Sequence, residues 1–134
     1  MKSLITFLAI TITALISRNA SAAWQELGQN DLSVVYVDTA TLQTHDGKAQ
    51  IISMLDFKKP GQDPQTKEVV NSIIGLNEYD CSSGQYRPIE FKLFAEQQGK
   101  GKVVFDQKTP NSVFETIENG SWAAGVFNVA CRAK

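Results

Sequence analysis

The residues best equipped for chemistry in this 134-residue chain are two cysteines and one histidine. Cys81 sits in the stretch NEYDCSSGQYR, where a strand-like run meets a turn, and Cys131 stands three residues from the end. A reactive or metal-binding thiol needs a base, a cation or further ligands beside it, and neither cysteine has such company in the sequence. His45 lies next to Asp46 in a polar loop, with no second histidine to complete a metal site or a proton relay. Asp38, Asp56, Asp80 and Asp106 lack the regular spacing of a calcium-binding loop. The run Gly99-Lys100-Gly101-Lys102 lacks both the four-residue gap and the following Ser/Thr of a phosphate loop, and reads as a hairpin turn. Ser82, Ser83, Ser112 and Ser121 occupy turn and cap positions. No nucleophile–base pair emerges, so the chain is expected to be no enzyme, with no catalytic residues, no metal and no cofactor.

The two thiols then point to a structural role in an oxidising compartment, and the N-terminus supplies one. Lys2 is followed by an apolar run over residues 4–16, a polar stretch Ser17-Arg18-Asn19 and the small-x-small pattern Ala20-Ser21-Ala22. That run is the length of a signal-peptide core and short of the roughly 20 residues needed to span a bilayer. Residues 1–22 are therefore expected to be a cleaved signal peptide, leaving 23–134 as a single domain in the periplasm or secreted, with no membrane anchor. Of 13 basic residues, removing Lys2 and Arg18 leaves 11 against 14 acidic ones. This balance argues against nucleic acid or anionic lipid as a partner. In an exported protein, two cysteines have one intramolecular pairing, so a Cys81–Cys131 disulfide is expected.

Those cysteines must be positioned by the elements around them, most of which read as strands. WQELG, DLSVVYVD and AQIISMLDF read as strands, the second rich in β-branched and aromatic residues, and Asp46-Gly47 is a hairpin signal before the third. The segment between the second and third reads as a turn or a single helical turn. KKPGQDPQTK, with two prolines, reads as the longest loop. EVVNSIIGLNEYDC and YRPIEFKLFAE are strands around an SSGQ turn; QQGKGK turns into VVFD, and residues 107–120 read as a mixed loop. WAAGVFNVAC behind Ser121 reads as a capped helix with Ala124, Phe127 and Cys131 on its docking stripe. The expected fold is α+β: about six antiparallel strands with a C-terminal helix tethered to one face by the disulfide. Gly75 either admits the helix closely or marks a bulge.

Arg87, Lys92, Lys100 and Lys102 cluster on the hairpin after Cys81 and form, with Tyr79, the candidate partner-binding residues. An exposed strand edge there could also accept a partner strand. Pairs such as Val34-Val35, Ile51-Ile52 and Val103-Val104 put apolar side chains on both sheet faces. One helix cannot cover both, so the strands must curl around their own core or a second copy must cover the rest, which favours a homodimer.

VVYVDTATL, EYDC with Arg87 six residues after the cysteine, GKGKVVF and NGSWAAGVFNVAC occur in that order. In this the chain resembles the surface-adhesin protein E-like family, small exported proteins of Gram-negative bacteria, over about residues 24–132. The resemblance implies an antiparallel sheet with its C-terminal helix tied to the concave face by the disulfide. It also implies a non-enzymatic protein of the cell surface that binds host matrix and serum proteins, laminin and vitronectin among them, and self-associates. The recognition segment would span about residues 70–102. The family pattern has a lipidated cysteine where this chain has Ala22-Ala23-Trp24, and basic side chains where it has Ile74 and Asn77. A soluble periplasmic envelope protein with no host ligand is the alternative those departures suggest.

Overall fold

The structure, a computed structural model, describes residues 23–132; the expected signal peptide lies outside them. β1 (Trp24–Gln29), β2 (Ser33–His45), β3 (Lys48–Gln62), β4 (Val69–Asp80), β5 (Gln85–Phe94) and β6 (Val103–Lys108) pair antiparallel in sequence order. A two-residue strand, β7 (Glu115–Thr116), joins the start of β5 along the edge that β6 occupies further on. α1 (Trp122–Arg132) ends the described chain. The expected α+β architecture is thus present, with the short β7 inside a segment expected to be loop.

Two strands run longer than expected. Residues 39–45 continue β2 instead of turning, because side chains carry the ladder across an irregularity between Asp38 and Gln43. Asp38 Oδ1 accepts from the Ala40 amide at 3.1 Å, and Thr41 Oγ1 donates to the Asp38 carbonyl at 2.7 Å. The same hydroxyl accepts from the Ile52 amide of β3 at 2.9 Å. A β-bulge so stapled looks like a turn in sequence, because Asp and Thr favour both. The expected hairpin follows at Asp46 and Gly47, whose φ of 50° and 76° suit a tight two-residue turn. β3 likewise extends through KKPGQ: its register with β4 slips between Asp56 and Gly61, and that gap accommodates Pro60, which has no amide to donate. The expected long loop shrinks to residues 63–68, closed by the Asp63 amide on the Glu68 carbonyl at 2.9 Å and the Lys67 amide on the Asp63 carbonyl at 2.8 Å.

One face of the sheet packs on α1. Val35, Val37, Ala49, Ile51 and Tyr79 form a buried cluster with Val126 and Ala130 of the helix. The helix begins at Ser121, whose Oγ accepts from the Ala124 amide at 3.2 Å. Its fully buried stripe is Ala123, Val126 and Ala130, with Phe127 and Cys131 half-buried beside it. That stripe lies one residue before the one expected at Ala124. Gly75 admits no helix: a Cβ there would meet the Glu90 carbonyl and the Phe91 Cβ of β5, both at 3.2 Å. A register slip between β4 and β5 lies next to it, between Leu76 and Asn77.

The second face is covered in part by the chain's own 95–102 loop, which folds back over β3 and β4. Gln98, at φ 62°, donates its amide to Asp56 Oδ1 at 2.8 Å and its Nε2 to Asp56 Oδ2 at 2.7 Å. Ser72 Oγ donates to the Glu96 carbonyl at 2.6 Å and accepts from the Gly99 amide at 2.9 Å. Met54 and Ser72 are fully buried beneath this loop. Gly99 (φ 69°) lies so close that a Cβ would run into Ile74 Cδ1. Because Ser72 satisfies two backbone groups of the loop, Ser72→Ala should lower stability by about 1–3 kcal/mol in urea denaturation. An unchanged midpoint would mean that apolar contact alone holds the loop.

Candidate functional site

The hairpin after β4 begins at a turn whose geometry fixes Cys81. Asp80 Oδ1 accepts from the Ser82 amide at 3.1 Å, the Ser82 hydroxyl at 2.8 Å and the Ser83 amide at 3.3 Å. These bonds, that of the Ser82 hydroxyl foremost, hold the Asp80 carboxyl below the ordinary carboxylate range. The Cys81 amide donates to the Gly47 carbonyl at 3.0 Å, tying the turn to the β2–β3 hairpin. Cys81 and Cys131 are joined by a disulfide, with Cα atoms 5.5 Å apart. The helix is therefore bonded to the sheet near its last turn. At its first turn an aromatic chain does the equivalent work. Phe127 meets Tyr79 edge-on at 6.4 Å, Tyr79 stacks on Tyr86 at 6.0 Å, and Tyr86 meets Trp122 edge-on at 5.6 Å.

The five candidate contact residues do not form one patch. Tyr79 is fully buried beneath the helix, where burial, followed by the neighbouring Tyr86, keeps its hydroxyl protonated. That hydroxyl has no hydrogen-bond partner among the described residues. Arg87 is turned inward. Its Nε donates to Glu78 Oε1 at 2.9 Å, its Nη1 to the Pro110 carbonyl at 2.8 Å, and its guanidinium lies 5.2 Å from the Phe114 ring centre. It thereby pins the 109–114 segment to β4. Lys102 is paired with Glu68. Lys92 and Lys100 are the two that face solvent without an ion pair. His45 and Asp46, at 3.0 Å, form an exposed pair at a hairpin tip. Among the described residues no three His, Cys, Asp or Glu side chains come together as a metal site.

Lys92 has neighbours that the sequence reading did not single out. On the face opposite α1, Ile52, Ile74, Leu76 and Phe94 floor a groove of about 260 Å³, rimmed by Glu90, Lys92 and Asp106. The rim charges sit in cross-strand register, Glu90 opposite Lys108 and Lys92 opposite Asp106. The signal for this groove was the presence of apolar residues in both strand phases, which marks a second face without saying where it stays open.

The model of the family described as surface-adhesin protein E matches residues 24–132. The chain belongs to that family. Two solved structures share the fold of this adhesin E-like chain. The Haemophilus influenzae protein E structure is 12% identical, covers 84% of this chain and 85% of its own, and superposes with a TM-score of 0.57. The structure of protein E from non-typeable Haemophilus influenzae is 11% identical, covers 86% and 79%, and has a TM-score of 0.55. At such identity the likeness is one of fold. No curated protein sequence matches the adhesin E-like chain.

Three outcomes test this assignment of roles. The disulfide closes a loop of about 50 residues, so Cys81→Ser/Cys131→Ser should cost about 4 kcal/mol in chemical denaturation; equal midpoints for oxidised and reduced protein would remove the clamp. Tyr79→Phe deletes a buried, unpaired hydroxyl and should leave stability unchanged or raise it by about 1 kcal/mol, whereas a drop would reveal a partner for that oxygen. The third concerns Glu78. Burial raises its pKa, but hydrogen bonds from Gln50 and Arg87 and the charges of Arg87 and Lys48 outweigh burial, leaving it below the ordinary value of 4.5. Its contribution is present above that pH and lost as pH falls through the lowered folded value. Arg87→Met should therefore weaken the fold at neutral pH and reduce its sensitivity to acid, as read from melting temperature against pH.

Proposed function

We propose that this adhesin E-like chain is an exported, non-enzymatic binding protein that contacts host extracellular-matrix or serum proteins through the face opposite α1. The observation that carries this reading is the groove, whose apolar floor and charged rim have the anatomy of a protein contact surface. Of the candidate basic residues, Lys92 on its rim and Lys100 on the adjoining loop are available to a partner. Tyr79 and Arg87, placed with them on sequence grounds, act instead through the fold, while Lys102 is exposed and paired with Glu68. The family supports an adhesive role at the cell surface, and no helix among the described residues is long and apolar enough to cross a membrane. A second copy of the chain is a further candidate occupant of the same face.

A soluble periplasmic envelope protein with no host ligand is the second reading. The observation favouring it is that Arg87 and Lys102 are both engaged in internal ion pairs. This leaves little outward positive charge on the segment that the family reading makes the recognition surface.

Surface plasmon resonance on immobilised laminin and vitronectin separates the two. Lys92→Glu/Lys100→Glu is expected to weaken binding about tenfold without lowering the melting temperature. Unchanged affinity would take both lysines out of the contact, and an unaltered protein that binds neither host protein would leave the envelope reading.

A further inference from the structure

The helix-bearing face holds a hollow of a different kind, beyond the first turn of α1. It encloses about 220 Å³ and is walled by the rings of Tyr86, Phe91 and Trp122 and the aliphatic side chains of Leu55 and Ile73. Ser53 and Asn77 also face it. They are 4% and 6% exposed, and neither side chain hydrogen-bonds to another described residue. Between them lies Gly75, which is the register partner of Ser53. With no side chain at Gly75, the wall is recessed between the hydroxyl and the carboxamide.

Burying a hydroxyl or an amide without a partner costs on the order of 1–3 kcal/mol each, and an apolar residue of the same size would avoid that cost. Two such groups converging in one apolar hollow have the pattern of a small-molecule site, where apolar walls provide contact and a few polar groups orient the ligand. The lining contains no charged side chain, so a charged ligand would be desolvated without compensation. The volume lies below the roughly 300–1,000 Å³ of drug-sized sites and suits about one ring. Three aromatic walls favour a planar one.

We infer that this hollow binds a small neutral aromatic molecule, about one ring in size, whose single polar substituent hydrogen-bonds to Asn77 and Ser53. The inference is independent of the protein-binding reading, which concerns the opposite face.

The test is a proton–nitrogen NMR titration of the oxidised protein with benzamide, benzoate and toluene. Benzamide should shift the Asn77 side-chain amide and the Trp122 indole N–H saturably in the millimolar range. Benzoate, which is charged, and toluene, which has no polar group, should bind at least tenfold more weakly. Asn77→Leu should lose tenfold or more in benzamide affinity while melting no lower than the unaltered protein, a combination that a merely structural role would not produce. Should that variant fail to fold, Ser53→Ala carries the same expectation of weakened binding. Absence of saturable shifts at Asn77 and Trp122, or benzamide binding undiminished in the folded variants, would overturn the inference.

Discussion

An eleven-residue helix containing Gly125 has little stability of its own in water, and one face of this protein depends on keeping it in place. Val37, Ile51 and Tyr79 are fully buried in the cluster that Val126 and Ala130 complete. If the helix leaves, that apolar surface meets solvent. The disulfide secures the last turn, and the aromatic chain Phe127, Tyr79, Tyr86, Trp122 secures the rest. Tyr79 occupies the centre of that arrangement, which is why a residue beside the hairpin surface in sequence is absent from that surface in space.

The two faces are closed by different means. The helix side is closed by apolar packing and a covalent bond; the other is closed by a polar loop that uses Asp56 and Ser72 as fixed points. The part of the second face that the loop does not reach includes the groove beside Lys92. A surface left open beside a well-fastened loop is a suitable place for recognition, because the partner meets a preformed shape and little ordering entropy is lost on contact.

Much of the fold was legible in the sequence because strand alternation, the Asp46-Gly47 turn and the two-cysteine count are local or arithmetic signals. The bulges were not. Asp38 and Thr41 favour turns and strand irregularities alike, and only the Ile52 amide arriving from the next strand decides between them. Pro60 argued for a loop for the same reason, since a proline without a donor fits a loop and a register slip equally well. The candidate site was less legible still. Arg87 and Lys102 carry charge in the sequence whether or not it is spent internally, and their partners Glu78 and Glu68 lie 9 and 34 residues away. Ser53 and Asn77 gave no sequence signal, because a buried polar residue on a strand looks like an exposed one until its neighbours are known.

The meander has a bearing on how the chain assembles. Each main strand pairs with its neighbour in sequence, so the sheet can build progressively from the N-terminal end, with only short loops to close at each step. The helix returns across β1 to β4 from the far end of the chain, and Cys131 is among its last residues. Oxidation must therefore wait until α1 has been made. Cys81 spends that interval as a solitary thiol with no other cysteine in the chain to mispair with. A chain with two cysteines so far apart trades early cross-linking for an oxidative step with a single intramolecular product.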